Sequence, residues 1–162
     1  MAFATNFDKQ MKKILDEKAP EYEWKLAWSP NRQPWKVDVA GCPKKGHRRL
    51  VFIENELKRD GPLENIVKVW HWARRADNKQ RILLVQAFSK LFWQAKSEHR
   101  RRAIFAAERM VEDQKGKIDY KWIRMKYRPR PGRHQRIKEG GGRMVRAAQG
   151  LGRRVARLVH ST

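Results

Sequence analysis

The 162-residue sequence has a single cysteine, Cys42, and this scarcity excludes an intramolecular disulfide and any metal site built from several cysteines. Cys42 and His47 together are too few ligands for a structural zinc ion. No apolar run approaches the roughly eighteen residues that a membrane span needs. The stretch MAFATNFDKQMKKILDEK lacks the apolar core of a secretory signal. We therefore expect an intracellular, cytoplasmic protein with no membrane partner.

Acidic residues are also scarce. The sequence has 17 Asp and Glu residues against 39 Lys and Arg residues, which gives a formal net charge of +22. A cation excess of this size favours a polyanionic partner, and we expect nucleic acid, DNA before RNA. The apolar content of 40% suffices for one hydrophobic core at this chain length, so we expect a single globular unit.

The hydrophobic pattern predicts an α/β domain over residues 1–127. NFDKQMKKILDEKAP carries apolar residues at helical spacing and ends at a proline, so it should open the domain as a short helix. EYEWKLAWS, WKVDVAG and RRLVFIENELK alternate partly or fully, as strands do, and turn signals separate them. These three segments should form an antiparallel meander.

A helix, a strand, a second helix and a last strand should follow. In LENIVKVWHWARR one helical face is apolar and should pack on the sheet; it comprises Leu63, Ile66, Val67, Trp70 and Ala73. RILLVQAFS is a continuous apolar run that is typical of a central strand, reached through the preceding helix as a crossover. SEHRRRAIFAAERMVEDQ should be the second helix, and IDYKWIRMKY a solvent-exposed edge strand.

Residues 128–162 differ in composition, because they are rich in arginine and are interrupted by Pro and Gly. We interpret them as a mobile basic tail whose last stretch, from Arg143, could form an amphipathic helix on a partner. The residues expected to contact nucleic-acid phosphates are Lys68, Arg128, Arg130, Arg133, Arg136, Arg143, Arg146, Arg153, Arg154 and Arg157.

Charged residues inside the third predicted strand need an explanation. Side chains two apart share a face of a strand, so Glu54, Glu56 and Lys58 should project to one side. Carboxylates next to hydrophobic runs cost free energy unless they are paired, solvated or bound to a cation. Asp38, between two valines on the preceding strand, could face Glu56 across the ladder. Such a pair suits Mg²⁺, which takes one or two protein carboxylates and fills its other positions with water and phosphate oxygens.

Asp38, followed by the tripeptide Glu56-Leu57-Lys58, resembles the PD-(D/E)xK motif of the restriction-endonuclease-like nuclease superfamily. The predicted element order over residues 7–89, helix, three strands, helix, strand, is similar to the core of that superfamily. The resemblance implies a mixed sheet of four to five strands flanked by helices. It departs from the motif at Val37, where the motif has proline.

Carried over residue by residue, the resemblance makes Asp38 and Glu56 ligands of Mg²⁺ or Mn²⁺ and Lys58 the catalytic lysine. Glu54 would be an extra ligand or merely a neighbour. A further acidic residue is expected from the first helix or strand, and the candidates are Glu17, Glu21 and Glu23.

The predicted function is a metal-dependent DNA endonuclease that hydrolyses phosphodiester bonds, and by analogy with the superfamily it could act as a homodimer. One alternative is a non-catalytic DNA- or RNA-binding protein in which the carboxylates only form ion pairs on an exposed edge strand. Another is a protein that binds acidic membrane or protein surfaces through its tail. A tryptophan exposed near arginines could stack on an unpaired base.

Overall fold

The computed structural model describes residues 5–30, 33–46, 49–58, 61–75, 79–129 and 141–161. Its main elements, in chain order, are α1 (Asn6–Lys18), β1 (Tyr22–Trp28), β2 (Val37–Pro43), β3 (Leu50–Glu56), α2 (Pro62–Ala73), β4 (Ile82–Phe88), α3 (Ser97–Asp113), β5 (Ile118–Arg124) and α4 (Gly142–His160). A short 3-10 helix, Lys90–Trp93, links β4 to α3. The predicted α/β class and the predicted order of elements up to β5 are confirmed.

The five strands form one mixed sheet in the order β1-β2-β3-β4-β5. The pairs β1–β2 and β2–β3 are antiparallel, which confirms the meander. β4 is parallel to both β3 and β5. The helices α2 and α3 are the crossovers that parallel neighbours require. β4 is therefore the buried strand inside the sheet, and β5 is an edge strand, both as predicted.

Helices cover both faces of the sheet and create two hydrophobic clusters. One cluster joins α1 and α4 to the face that carries Val51 and Ile53. The other joins α2 and α3 to the opposite face, which carries Phe52 and Leu84. Because side chains alternate along a strand, Glu54 and Glu56 lie on the same face as Phe52, beneath α2. The prediction that Glu54 and Glu56 share one face of β3 is therefore confirmed.

The orientation of α2 differs in part from the prediction, because Ile66 and Ala73 are buried as expected but Leu63 and Val67 are exposed. The inward face also includes Asn65 and Val69. The rotation has a physical reason: it places the polar groups of Asn65 and Lys68 above the buried carboxylates of β3, which need hydrogen-bond donors. Apolar periodicity alone does not contain this requirement.

The second half of the predicted tail is an ordered helix that belongs to the core. α4 packs along α1, and its inward face buries seven residues, Met144, Ala148, Leu151, Gly152, Val155, Ala156 and Val159. Burial of that apolar stripe explains why this segment is docked rather than mobile. Residues 130–140, which contain Arg130, Arg133 and Arg136, lie outside the described residues. None of the described helices is long and apolar enough to span a membrane.

Candidate active site and nucleic-acid interface

Glu54 is a carboxylate at the centre of the sheet with almost no contact with solvent. It is 1% exposed and sits near the carboxyl end of β3. Burial, and secondarily the charge of Asp38, raise the pKa of Glu54 well above the usual value of a glutamate, while Lys68 opposes the shift. Oε2 of Glu54 has no hydrogen-bond donor among the described residues. A buried acidic oxygen with no donor is a costly feature that a cation would relieve.

Asp38 supplies the second carboxylate. It is half-buried near the start of β2, and its Oδ2 accepts a hydrogen bond of 2.8 Å from the backbone N–H of Asn55. Opposite it in the β1–β2 pair lies Ala27, whose φ of 46° is in the left-handed region that is unfavourable for alanine. Backbone strain of this kind concentrates at functional sites.

The carboxylate opposite Asp38 is Glu54, not Glu56 as predicted. The β2–β3 register pairs Val39 with Ile53, so the next position along the ladder brings Asp38 level with Glu54. The expectation that Asp38 faces Glu56 used a register two residues away. Strand periodicity places residues on a face, but it does not fix the register between strands.

Glu56 is equally buried, and two amide side chains hold it. Its Oε1 accepts hydrogen bonds from Asn65 Nδ2 at 2.8 Å and from Gln86 Nε2 at 2.7 Å. The hydroxyl of Tyr120 in turn donates to Gln86 Oε1 at 2.9 Å. Burial first, and the charge of Glu56 second, raise the pKa of Tyr120, so this hydroxyl keeps its proton. Glu56 is thus held directly by Asn65 of α2 and Gln86 of β4, and indirectly by Tyr120 of β5.

Lys68 of α2 contacts the carboxylate of Glu54. Its Nζ lies 2.6 Å from Glu54 Oε1 and donates hydrogen bonds of 2.7 Å to Asn65 Oδ1 and to the carbonyl of Lys36. β3 ends at Glu56, so Lys58 lies beyond the strand and the alternation argument does not apply to it. The carbonyl of Lys58 accepts a hydrogen bond from Lys96 Nζ at 2.9 Å. Lys68, expected on the phosphate-binding surface, therefore lies inside the site.

The acidic residues expected from the first helix or strand do not join this cluster. Glu23 forms an ion pair with Lys25 and pairs in register with Cys42, about 13 Å along β2 from Asp38 at strand rise. Glu17 contacts Lys18, and Glu21 contacts His160. These pairs lie toward the opposite end of β2.

A first-helix carboxylate that does reach the end of β3 is Asp8, which sequence reasoning missed. It closes a capping box with Thr5, and its Oδ1 accepts a hydrogen bond of 2.6 Å from Asn55 Nδ2. The available signal was Thr5 three residues before Asp8, which marks the start of a helix.

Asp38 and Glu54 are the residues that could hold a divalent metal. Within the part of the chain that the structure describes, no three His, Cys, Asp or Glu side chains group closely enough to hold a metal ion by themselves. Magnesium does not need three, because one or two protein carboxylates, water and substrate phosphate complete its shell. The donor-less oxygen of Glu54 beside a second carboxylate fits that chemistry.

A basic groove runs between α4 and the end of β5. Its volume is about 1610 Å³, and among the described residues that line it ten are Lys or Arg and none is Asp or Glu. Six of the arginines predicted to bind phosphates line it together, Arg128, Arg143, Arg146, Arg153, Arg154 and Arg157. Lys90, which follows β4, and Arg124, at the end of β5, also line it. The groove therefore reaches the carboxyl edge of the parallel strands from the side of α1 and α4, whereas Glu54 faces α2 on the other side of the sheet.

Comparison with known proteins assigns the chain to no family. No family model matches the chain, and neither a curated protein nor a solved structure is significantly similar to it.

Proposed function

We propose that this chain is a metal-dependent DNA endonuclease with a restriction-endonuclease-like core. The observation that carries the proposal is the cluster of Asp38, Glu54 and Lys68, in which two carboxylates and one ammonium group meet at the carboxyl edge of parallel strands. Ligands of open α/β sheets characteristically bind at that edge. The element order and the Asp38 position agree with the resemblance to the PD-(D/E)xK superfamily.

The roles of the residues follow from their contacts. Asp38 and Glu54 hold the divalent ion. Lys68 takes the part that the resemblance gave to Lys58, because its ammonium group lies beside the carboxylates and can offset charge on a phosphate. Asn65 and Gln86 fix Glu56, and Asn65 also accepts a hydrogen bond from Lys68, so the two halves of the cluster are positioned together.

A bound Mg²⁺ or Mn²⁺ would supply Lewis acidity toward the scissile phosphate and lower the pKa of a water molecule. The protein holds the carboxylates and the lysine in fixed positions and shields part of the cluster from bulk water. Glu54 is shielded from bulk water, while Asp38 and Lys68 are partly exposed and form the accessible side of the cluster. The low polarity around Glu54 strengthens the electrostatic interactions between the cluster and a phosphate that reaches Asp38.

The basic groove binds the nucleic-acid backbone in this proposal. Ten cationic side chains without an acidic neighbour among the lining residues create a strongly positive surface. Such a surface concentrates polyanions and contacts phosphates without reading sequence. The groove and the carboxylate cluster lie on opposite faces near the carboxyl edge of the sheet, so a strand held in the groove would pass around that edge to reach Asp38.

The test is incubation of the purified protein with supercoiled, linear, branched and single-stranded DNA, in Mg²⁺, in Mn²⁺ and in chelator. We expect cleavage in either metal and none in chelator. Metal-dependent cleavage that persists undiminished in an Asp38→Asn variant would assign the activity to a contaminant or another site.

A second candidate function is nucleic-acid binding without cleavage, which the groove supports by itself. In that case Glu54 and Lys68 form a structural ion pair, and DNA binds with the same affinity in chelator and in metal. The substrate panel separates the two functions, because only the first predicts nicked or shortened products.

A further inference from the structure

Trp122 is a large aromatic side chain that the protein leaves partly exposed. It lies on edge strand β5 and is 46% exposed. Burial of an indole against the protein contributes substantially to stability, so an exposed one is a candidate contact surface. Trp122 lies beside the ring of Trp93, with 5.5 Å between the centroids.

Two arginines surround this indole pair. The guanidinium carbon of Arg100 lies 3.8 Å from the centre of the Trp93 ring, and that of Arg124 lies 4.6 Å from it. Burial first, and then the charges of Arg101 and Arg124, lower the pKa of Arg100. Arg100 and Arg124 repel each other on this aromatic surface, so an anion bound nearby would stabilise both.

The position of Trp122 relates it to both parts of the proposed function. The register pairs Glu54 with Gln86 and Gln86 with Trp122, so all three lie in one row across the sheet. At normal strand spacing the Cα atoms of Glu54 and Trp122 are about 10 Å apart. Arg124 also lines the basic groove, and Arg154 of α4 donates a hydrogen bond of 2.9 Å to its carbonyl. The indole therefore lies in the same row of the sheet as Glu54 and two residues before Arg124, which lines the groove.

We propose that Trp122 is a stacking platform for an unpaired DNA base, with Arg100 and Arg124 contacting the adjoining phosphates. This inference rests on the nucleic-acid-binding part of the proposed function and does not require cleavage. An aromatic face accepts any base by stacking, provided that the base is not already stacked in a duplex. The protein should therefore prefer DNA with a single-stranded segment, such as a tail or a branch, over a continuous duplex.

The test is equilibrium binding, in chelator, to a fluorescently labelled oligothymidylate and to a blunt duplex of the same length. Stacking on one base predicts that Trp122→Ala weakens binding to the single strand between about 5-fold and about 150-fold. Binding to the duplex should change less than about two-fold. Trp122→Phe should retain most of the single-strand affinity, whereas Trp122→Leu, which keeps apolar surface but no aromatic face, should behave like Trp122→Ala.

Phe105 provides a matched control. It is an exposed aromatic residue, 59% accessible, with Arg109 over its ring, but it lies on α3 and not in the row of the sheet that carries Glu54 and Trp122. Phe105→Ala should leave both affinities unchanged. Equal losses on both probes, or no loss on the single strand, would overturn the stacking platform. A parent protein that binds neither probe would instead contradict nucleic-acid binding itself.

Discussion

Glu54 is the residue whose surroundings most favour a functional interpretation of the cluster over a structural one. A buried glutamate with a raised pKa, a neighbouring carboxylate and an oxygen without a donor weakens the metal-free fold. A residue that only stabilised the sheet would be apolar at this position, as Phe52 is two residues earlier on the same face. The sequence placed Glu54 on the correct face but did not rank it above Glu56, because ranking requires the β2–β3 register.

At the residue scale, the raised pKa of Glu54 predicts a pH dependence of stability. Between the usual value of 4.5 and the raised value, the folded protein binds more protons than the unfolded chain. The free energy of unfolding in chelator should therefore fall as pH rises through that interval. Glu54→Gln should lack this component, which urea denaturation between about pH 5 and about pH 9 would measure.

Glu98 is the control for that measurement. It is exposed, and its contacts with Arg101 and Arg102 lower its pKa, so its contribution to stability is lost only as pH falls below 4.5. Glu98→Gln should keep the parent's slope above about pH 5. A Glu54→Gln variant with the parent's slope would show that Glu54 does not carry the raised pKa.

A second prediction at the residue scale concerns which lysine, Lys68 or Lys58, assists cleavage. Lys68→Ala removes the ammonium group beside Glu54 and should slow metal-dependent cleavage by about 100-fold. Lys58→Ala should slow it by no more than a few-fold, because β3 ends before Lys58. Cleavage rates should be compared at a temperature where denaturation curves show both variants folded. The reverse order of effects would restore Lys58 as the catalytic lysine.

At the scale of elements, local patterns predicted the strands and helices well and their orientations less well. Alternation, turn residues and, for β4, a continuous apolar run were enough to predict β1 to β5. The face of α2 was predicted only in part, because the polar side chains of Asn65 and Lys68 are held by buried carboxylates that no helical pattern reveals. The amphipathic helix from Arg143 was expected on a partner, but α4 packs its apolar stripe on α1 of the same chain.

The close packing of α4 on α1 can be tested at one glycine. A Cβ atom added at Gly152 would lie 3.0 Å from the carbonyl oxygen of Met11 and 3.0 Å from Cβ of Ile14. Gly152→Ala should therefore lower the free energy of unfolding by about 1–3 kcal/mol, since a backbone carbonyl cannot easily move away. Chemical denaturation would measure the change.

Gly150 is the matched control, because it lies in the same helix and an added Cβ would meet no atom within 4 Å. Gly150→Ala should raise the free energy of unfolding by about 0.5–1 kcal/mol through helix propensity. Equal effects of the two substitutions would mean that α4 is not docked on α1 as described. Removal of residues 141–162 would expose the apolar face of α1, so we expect a truncated chain to unfold more easily.

At the scale of the whole molecule, the charge of +22 is not spread evenly, because ten cationic residues line one groove. The composition predicted a polyanionic partner, but only the fold could bring Arg128 and the arginines of α4 together. Each phosphate that the groove neutralises contributes about 0.9 to the slope of log affinity against log salt on duplex DNA. Arg153→Gln with Arg157→Gln should therefore make that slope shallower by about 1 to 2.

Arginines outside the groove are the comparison for the salt dependence. Arg101 and Arg109 are exposed on α3, where they form ion pairs with Glu98 and Glu112. Arg101→Gln with Arg109→Gln removes the same formal charge from the chain and should leave the slope almost unchanged. Equal changes in the two double variants would attribute binding to net charge rather than to the groove.

The most direct test of the proposed active site is the rate at which supercoiled plasmid is nicked in Mn²⁺ by the parent protein, Glu54→Gln and Glu98→Gln. If Asp38 and Glu54 hold the metal, the parent and Glu98→Gln should nick the plasmid at similar rates, and Glu54→Gln should be slower by about 100-fold or more while still binding DNA. Nicking by Glu54→Gln at the rate of the parent, or no metal-dependent nicking by the parent, would contradict a catalytic metal site at Asp38 and Glu54.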